Sequence, residues 1–196
     1  LSNNSKDAFA SSIFFCGDGS TEDDEVFDEQ DKDYLIRDID RVGKLLRKSG
    51  LTWRKFTASE NTKKRNEALA AYKNNEFDAL VAIRVLDEGI DVPGIKTAFL
   101  MASTSNNRQY IQRRGRILRK QEGKHHAVIY DFIIKPPEPN KGLLQKEIRR
   151  IVEIGKDCMN KGDVKEFLED LMSDYDWHKL GLDDGVLKSM ESFLGR

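Results

Sequence analysis

The residues best suited to chemistry lie in the segment QYIQRRGRILRK, at positions 109–120. On a helix of about 3.6 residues per turn, one polar arc contains Gln109, Gln112, Arg113, Arg116, Arg119 and Lys120. A guanidinium donates two parallel hydrogen bonds to a phosphate, and no acid interrupts residues 108–121. The pattern favours a helix that presents fixed cations to phosphate, with a solvated basic helix face as the plainer alternative.

The opposite side of the same helix is apolar and contains Tyr110, Ile111, Ile117 and Leu118. Gly115 lies beside these residues, and a glycine permits the close approach of two elements. We therefore expect the helix to pack closely against a sheet at Gly115.

A second segment, VLDEGIDVPGI at 85–95, directly follows an apolar run of strand length. In an open parallel sheet, ligands collect at the carboxyl ends of the strands. Gly89 and Gly94 permit tight turns or the close approach of a ligand, and Asp91 can accept a hydrogen bond from a ribose hydroxyl. A connecting loop without a ligand is the alternative for this segment.

Other kinds of site have little support. No G-x-x-x-x-G-K-[ST] motif occurs, so the chain has no cradle of its own for β- and γ-phosphates. The sequence DEQD at 28–31 is similar to a Mg²⁺-binding DExD motif, but no apolar strand precedes it to position such a motif. His125 and His126 have no partners at metal-ligand spacing, and Cys16 and Cys158 are too isolated for a disulfide framework. We predict no metal site and a reducing, cytoplasmic setting.

Strand-length apolar runs alternate with helical patterns before a stiff, proline-rich break at 135–139. The predicted strands are 11–16, 53–58, 78–85, 95–102 and 126–134. The predicted helices before the break are 31–49, 60–75 with Ser59 as N-cap, and 106–120. Those after it are 141–158, 162–176 and 184–194. The pattern indicates an α/β fold with a mainly parallel sheet covered on both faces, as a lobe at 1–138 and a helical extension at 139–196.

Charge is distributed unevenly along the chain, although the net charge is -1. Residues 17–33 carry nine acids and one Lys, which predicts a solvated loop. Residues 34–140 carry 21 basic and 12 acidic residues, a balance that suits a surface facing phosphate. No apolar run approaches the roughly 20 residues of a membrane span, so no membrane partner is expected.

The two motif segments, VLDEGIDVP and QYIQRRGRILR, together resemble motifs V and VI of superfamily 2 helicases. SSIFFC resembles motif IV, and residues 56–85 resemble the segment that leads into motif V. The resemblance covers roughly residues 10–135. The motif sequences are most similar to those of the motors of restriction and DNA-repair systems. It implies a C-terminal RecA-like lobe with three α/β layers, followed here by the helical extension.

The resemblance also implies nucleotide-binding roles for individual residues. Arg116 and Arg119 match the two arginines that reach the γ-phosphate across the cleft between lobes. Gln112 matches a polar residue near the nucleotide, and Arg113 helps with the nucleotide or with an acid across the cleft. Asp91 matches a carboxylate near the ribose.

Contacts with nucleic acid are implied by the same alignment of motifs. Gly89, grouped with the nucleotide-binding residues, matches the motif V glycine that lies close to nucleic acid. Thr57 and Ser59 match a contact with the backbone phosphate, which a strand end before a helix N-terminus suits. Ile83 stands where many relatives have Thr, and Arg84 beside it is the expected substitute.

The implied function is that of a second motor lobe in an ATP-dependent helicase or translocase. ATP and Mg²⁺ are expected to bind mainly to a first RecA-like lobe of the same parent chain, and DNA is favoured over RNA as the nucleic-acid partner. Alone, this chain is predicted to hydrolyse no ATP. The alternative is a non-catalytic nucleic-acid-binding or partner-docking domain derived from a helicase lobe.

Overall fold

A five-stranded parallel sheet organises the first part of the chain. The computed structural model describes residues 9, 11–17, 20–22, 35–57, 60–83, 94–101, 115, 117–119 and 124–196. The strands are β1 (Ser12–Phe15), β2 (Ser20–Glu22), β3 (Leu35–Arg37), β4 (Trp53–Thr57), β5 (Ala79–Ile83), β6 (Thr97–Leu100) and β7 (Val128–Asp131). The order in the sheet is β4, β5, β1, β6 and β7, with every pairing parallel, and β2 pairs with β3 in a separate antiparallel ribbon.

The strands of the sheet end along one row. Thr57 pairs with Ile83 at the ends of β4 and β5, and Leu100 pairs with Phe15 and Asp131 at the ends of β1 and β7. We call this row the carboxyl edge of the sheet. Segments that leave the five strands therefore start close to one another.

Helix α1 (Asp38–Lys48) buries its apolar side in the core of the sheet. Its buried residues Ile39, Val42 and Leu46 belong to the same core cluster as Phe14 and Val81. The 3.6-residue spacing of the apolar positions explains why one side of the helix is covered and the other is charged.

A close approach between α1 and β4 depends on Gly43. A Cβ atom on Gly43 would lie 1.9 Å from Cζ2 of Trp53, so no larger residue fits without moving the indole or the helix.

Helix α2 (Thr62–Lys73) follows β4 and turns Ala68, Ala71 and Tyr72 inward. The Tyr72 hydroxyl donates a buried hydrogen bond to the carbonyl oxygen of Ser12 at 3.2 Å. This bond ties the helix to the start of β1, a strand sixty residues earlier in the chain.

Two helix starts differ from the prediction. Leu35–Arg37, predicted as helix, form β3 because they pair with Ser20–Glu22, so α1 begins only at Asp38. Helix α2 is capped by Asn61, whose side-chain oxygen accepts a hydrogen bond from the Lys64 N–H at 2.9 Å. Ser59 as N-cap is therefore wrong. Of the predicted acidic loop at 17–33, residues 20–22 are β2, and residues 18–19 and 23–33 lie outside the described residues.

The chain divides into two compact units, Leu1–Phe132 and Ile133–Arg196. The second unit consists of helices α3 (Lys141–Gly155), α4 (Lys161–Ser173), α5 (Trp177–Leu180) and α6 (Asp184–Leu194). Its core is a separate apolar cluster contributed by α3, α4, α6 and the segment before α6. The predicted α/β lobe followed by a helical extension is confirmed. Within the described part of the chain, no helix combines the length and the apolar character needed to cross a membrane.

The second unit also buries a charged pair on α3. Glu147 is 1% exposed and Arg150 is 6% exposed, and Nη2 of Arg150 lies 2.6 Å from Oε2 of Glu147. The Glu147 carboxylate also accepts a hydrogen bond from the backbone of Ile134. The pair therefore fixes the start of the unit to its first helix.

Candidate nucleotide and nucleic-acid site at the carboxyl edge

Three strands that precede the predicted functional segments end at the carboxyl edge. β4 ends at Thr57 just before Ser59, and β5 ends at Ile83, where the segment 84–95 begins. β6 ends at Leu100, and the chain continues from there toward the segment 109–120. Seven predicted site residues lie outside the described residues: Ser59, Arg84, Gly89, Asp91, Gln112, Arg113 and Arg116.

Thr57 occupies the turn from β4 into α2. Its backbone N–H donates a hydrogen bond to Oε2 of Glu60 at 3.1 Å, and the Glu60 N–H donates to the Thr57 carbonyl oxygen at 3.2 Å. These bonds close the turn, and Asn61 then caps the helix. The N-terminus of α2 consequently starts beside the carboxyl edge.

The first turn of α2 is basic. Lys63 and Lys64 are exposed, Arg65 is partly buried, and the first turn contains no acid. A helix N-terminus carries a partial positive charge, so cations there lower rather than raise helix stability. A bound phosphate would offset this repulsion. These residues are not among the predicted site residues, although the run KKR in the first turn after an N-cap is a readable signal.

Ile117 and Arg119 differ in secondary structure as well as in burial. Ile117 is helical, whereas Leu118 is in a turn and Arg119 has no regular secondary structure, so the helix predicted at 106–120 does not extend to Arg119. Ile117 is fully buried, and Arg119 is exposed. The prediction for Gly115 is wrong, because this residue is exposed and a Cβ atom there would meet no atom within 4 Å. Leu118 is also 45% exposed, so among the described residues of this segment Ile117 alone is in the core.

Ile83 and Gly94 bracket the segment 84–93. The Ile83 side chain is 7% exposed and belongs to the core cluster, so it cannot reach a ligand in place of the Thr found in many relatives. Gly94 has a φ of 77°, in the left-handed region that glycine adopts without strain. A tight turn is thus present at the end of the segment.

Two further residues lie at the carboxyl edge. Asp131 ends β7, and an acid closing the apolar run HAVIYD is a signal that sequence analysis passed over. Cys16 follows β1, and its burial, together with the charge of Asp38, raises the pKa of its thiol to about 12. The thiol is therefore protonated near neutral pH and unsuited to act as a nucleophile.

Metal ligands do not cluster in the part of the chain that the structure describes. No three His, Cys, Asp or Glu residues are grouped there so that they could hold a metal ion.

Comparison with known proteins supports the resemblance found in the sequence. Residues 28–121 match the family described as the helicase conserved C-terminal domain. This segment is therefore similar to the C-terminal RecA-like lobe of superfamily 2 helicases.

Relatives include proteins that act on DNA and on RNA. The DNA 3'-5' translocase XPB2 of Sulfurisphaera tokodaii is 38% identical over 71 residues, which is 36% of this chain and 16% of that protein. The ATP-dependent RNA helicase CshA of Limosilactobacillus reuteri is 28% identical over 135 residues, which is 66% of this chain and 26% of that protein. The chain thus spans about a quarter or less of the length of these relatives.

The C-terminal part of the Fun30 ATPase domain has the same fold. The similarity has a TM-score of 0.52 and covers 72% of this chain and 40% of that chain, with 12% sequence identity.

Proposed function

We propose that this chain is the second motor lobe of an ATP-dependent nucleic-acid helicase or translocase. Arg116 and Arg119 enter an ATP site that a first RecA-like lobe of the parent protein completes. The observation that carries the proposal is the carboxyl edge: β4 and β5 end there as neighbours, and β6, the strand before the third motif segment, ends at the same edge on the other side of β1. The family of residues 28–121 supports it.

In this proposal the second lobe contributes positively charged side chains to the ATP site, and the loop that cradles the phosphates belongs to the first lobe. ATP supplies the phosphoryl group that is cleaved, and Mg²⁺ is bound mainly by the first lobe. Arg116 and Arg119 stabilise the negative charge that develops on the transferred phosphoryl group. Gln112, Arg113, Asp91 and Gly89 hold the nucleotide from the side of the second lobe.

Nucleic acid contacts the same edge through its phosphates. Thr57, Ser59 and Arg84, together with Lys63 and Lys64 in the first turn of α2, bind the backbone without reading the sequence, as a translocating motor requires. The exposed cations at a helix N-terminus support this assignment. We favour DNA because the 38% identical relative is a DNA translocase, although an RNA helicase also matches.

A nucleic-acid-binding assay with this chain distinguishes the lysines of the first turn of α2 from the proposed catalytic arginines. Fluorescence anisotropy is measured with single strands of DNA and of RNA of one sequence, over a series of salt concentrations. Changing Lys63 and Lys64 together to Ala should weaken binding and reduce the salt slope by roughly 1.4, because about 0.7 is lost per phosphate contact with a single strand. Lys188→Ala, at an exposed position in α6, is the control and should change neither.

The arginines should behave differently in the same assay. Arg116→Ala and Arg119→Ala should leave the Kd within about twofold, since these side chains face nucleotide. A tenfold or larger loss in either variant would instead favour a non-catalytic nucleic-acid-binding domain. Equal affinity for DNA and RNA would overturn only the proposed preference for DNA and leave the rest of the proposal in place.

ATP hydrolysis by the purified chain tests the need for a first lobe. We expect no nucleotide-specific turnover above background, because the chain has no phosphate cradle. Measurable ATP turnover that disappears in Arg116→Ala would contradict the division of the site between two lobes.

A further inference from the structure

Lys124 lies against the backbone of the segment that carries the proposed catalytic arginines. Its ammonium group donates hydrogen bonds to the carbonyl oxygens of Ile117 and Arg119, the second at 3.3 Å. The last carbonyl groups of a helix have no partner within the helix, and a Lys side chain can satisfy them. Lys124 therefore caps the end of this segment from a position further along the chain.

The environment of Lys124 shows that this contact is specific rather than a casual surface contact. The residue is partly buried, and burial lowers the pKa of its ammonium group. Removing an ammonium group from water is unfavourable unless its N–H groups find acceptors. The two carbonyl oxygens are such acceptors, so the position of Lys124 and the path of the backbone at 117–119 depend on each other.

The two carbonyl groups belong to residues with opposite surroundings. Ile117 is fully buried and anchors the segment in the core, whereas Arg119 is exposed. Lys124 connects the anchored residue to the exposed one through their backbones. The backbone of Arg119 is consequently restrained at its carbonyl oxygen.

We propose that Lys124 is a positioning residue for the arginines of the ATP site: it holds the backbone at Ile117 and Arg119 so that Arg119, and with it Arg116 of the same segment, reaches the phosphoryl group. The proposal rests on the proposed function. Lys124 does not touch the nucleotide in this account. A displacement of about 1 Å at a catalytic group costs up to about 100-fold in rate, which sets the scale of the expected effect.

The test measures ATP turnover by the parent protein with both lobes, at saturating nucleic acid. Lys124→Ala should lower kcat by about 10- to 100-fold, with the KM for ATP within about threefold. Lys124→Arg should recover most of the loss because a guanidinium can also donate to both carbonyl oxygens. Lys96→Ala, at an exposed position before β6, is the control and should keep full turnover.

A triple variant distinguishes positioning from a general loss of stability. If Lys124 acts through the arginines, Lys124→Ala added to a variant with Arg116→Ala and Arg119→Ala should lower kcat no further. An additional tenfold loss would overturn the proposal, as would full turnover in Lys124→Ala. If Lys124→Ala does not fold, kcat is compared between Lys124→Arg and Lys124→Met. Equal kcat values in these two variants would overturn the proposal.

Failure of the proposed function has a different signature in the same experiment. Full turnover in Arg116→Ala and Arg119→Ala would overturn the arginine roles, and the role of Lys124 with them. Impaired turnover in the arginine variants together with full turnover in Lys124→Ala would overturn only the role of Lys124.

Discussion

The two units of the chain reach stability by different means. In the first unit, strands that are far apart in the chain pair in a parallel sheet, and the buried polar side chains among its described residues are Ser12 and Thr97. In the second unit, helices that follow one another in the chain share an apolar core and bury the ionic pair of Glu147 and Arg150. The candidate site belongs to the first unit.

The difference shows what the proposed site, divided between two lobes, demands of a fold. Parallel pairing aligns the ends of strands from distant parts of the sequence, so several motifs can converge on one edge. Consecutive helices form without such long-range alignment, and the second unit has none of the predicted site residues. Each unit also has one tryptophan, Trp53 or Trp177, so the unfolding of each can be followed separately.

The largest expected difference between the units comes from the buried ion pair. Glu147→Ala deprives the buried Arg150 guanidinium of its carboxylate, which should lower the free energy of unfolding of the second unit by about 3–5 kcal/mol. Urea unfolding followed by Trp177 fluorescence in a Trp53→Phe background measures this. Trp53 fluorescence in a Trp177→Phe background should not change.

Glu153→Ala is the matched control on the same helix. Glu153 pairs at 3.3 Å with Lys156, whose side chain is about half exposed, so its loss should cost less than about 1 kcal/mol. Equal losses in Glu147→Ala and Glu153→Ala would contradict the special role of the buried pair.

Two glycines provide a matched test of close packing in the two units. A Cβ atom on Gly43 would meet Trp53 at 1.9 Å, and one on Gly155 would meet Cζ of Phe193 at 2.4 Å. Gly43→Ala should therefore destabilise the first unit, and Gly155→Ala the second, each by about 1–3 kcal/mol. The same two fluorescence signals measure this. A change in the Trp177 unfolding curve with Gly43→Ala, or in the Trp53 curve with Gly155→Ala, would show that the units do not unfold separately.

Helix caps should give a smaller effect in each unit. Asn61 accepts a hydrogen bond from the Lys64 N–H at 2.9 Å, and Asn140 accepts one from the Leu143 N–H at 3.0 Å. Asn61→Ala and Asn140→Ala should each lower the free energy of unfolding by about 1 kcal/mol, in the first and second unit respectively. No measurable change by urea unfolding in either variant would argue against these caps.

The smallest effect concerns pH. Burial raises the pKa of the Glu147 carboxyl above its ordinary value of 4.5, and the Arg150 guanidinium and the Ile134 backbone lower it by less. Between pH 4.5 and the raised value, the folded unit therefore holds a proton that the unfolded chain releases, whereas above this range the carboxylate is charged and pairs with Arg150. The second unit should lose stability as the pH rises from 4.5 through the raised value. Glu147→Gln should remove this slope, and urea unfolding of both proteins across this range checks it. A slope of the opposite sign would contradict the raised pKa.

Local patterns in the sequence predict most of the fold and only part of the site. The strands of the sheet and the main helices follow from apolar periodicity. Leu35 also fits a helical pattern, yet it pairs with Glu22 in β3, and pairing between distant segments leaves no local sign. Likewise, Ser and Asn are both favourable N-cap residues, so residue type does not distinguish Ser59 from Asn61. Asn61 is the N-cap because the helical backbone begins at Thr62.

Contacts between distant residues account for what the sequence did not show at the site. The contact of Lys124 with the carbonyl groups of Ile117 and Arg119 involves backbone atoms, so no residue type in that segment signals it. Gly115 was expected to permit close packing, but the exposed side of its segment includes this position. The buried pair Glu147 and Arg150 was hidden among apolar positions of the same helix.

The most direct test of the account is the single-turnover rate of ATP cleavage by the parent protein with both lobes, bound to nucleic acid. This measurement separates the chemical step from product release. Arg119→Ala should reduce the rate by about 10³-fold or more, with the Kd values for ATP and nucleic acid little changed. An unchanged cleavage rate would contradict the claim that this lobe completes the ATP site.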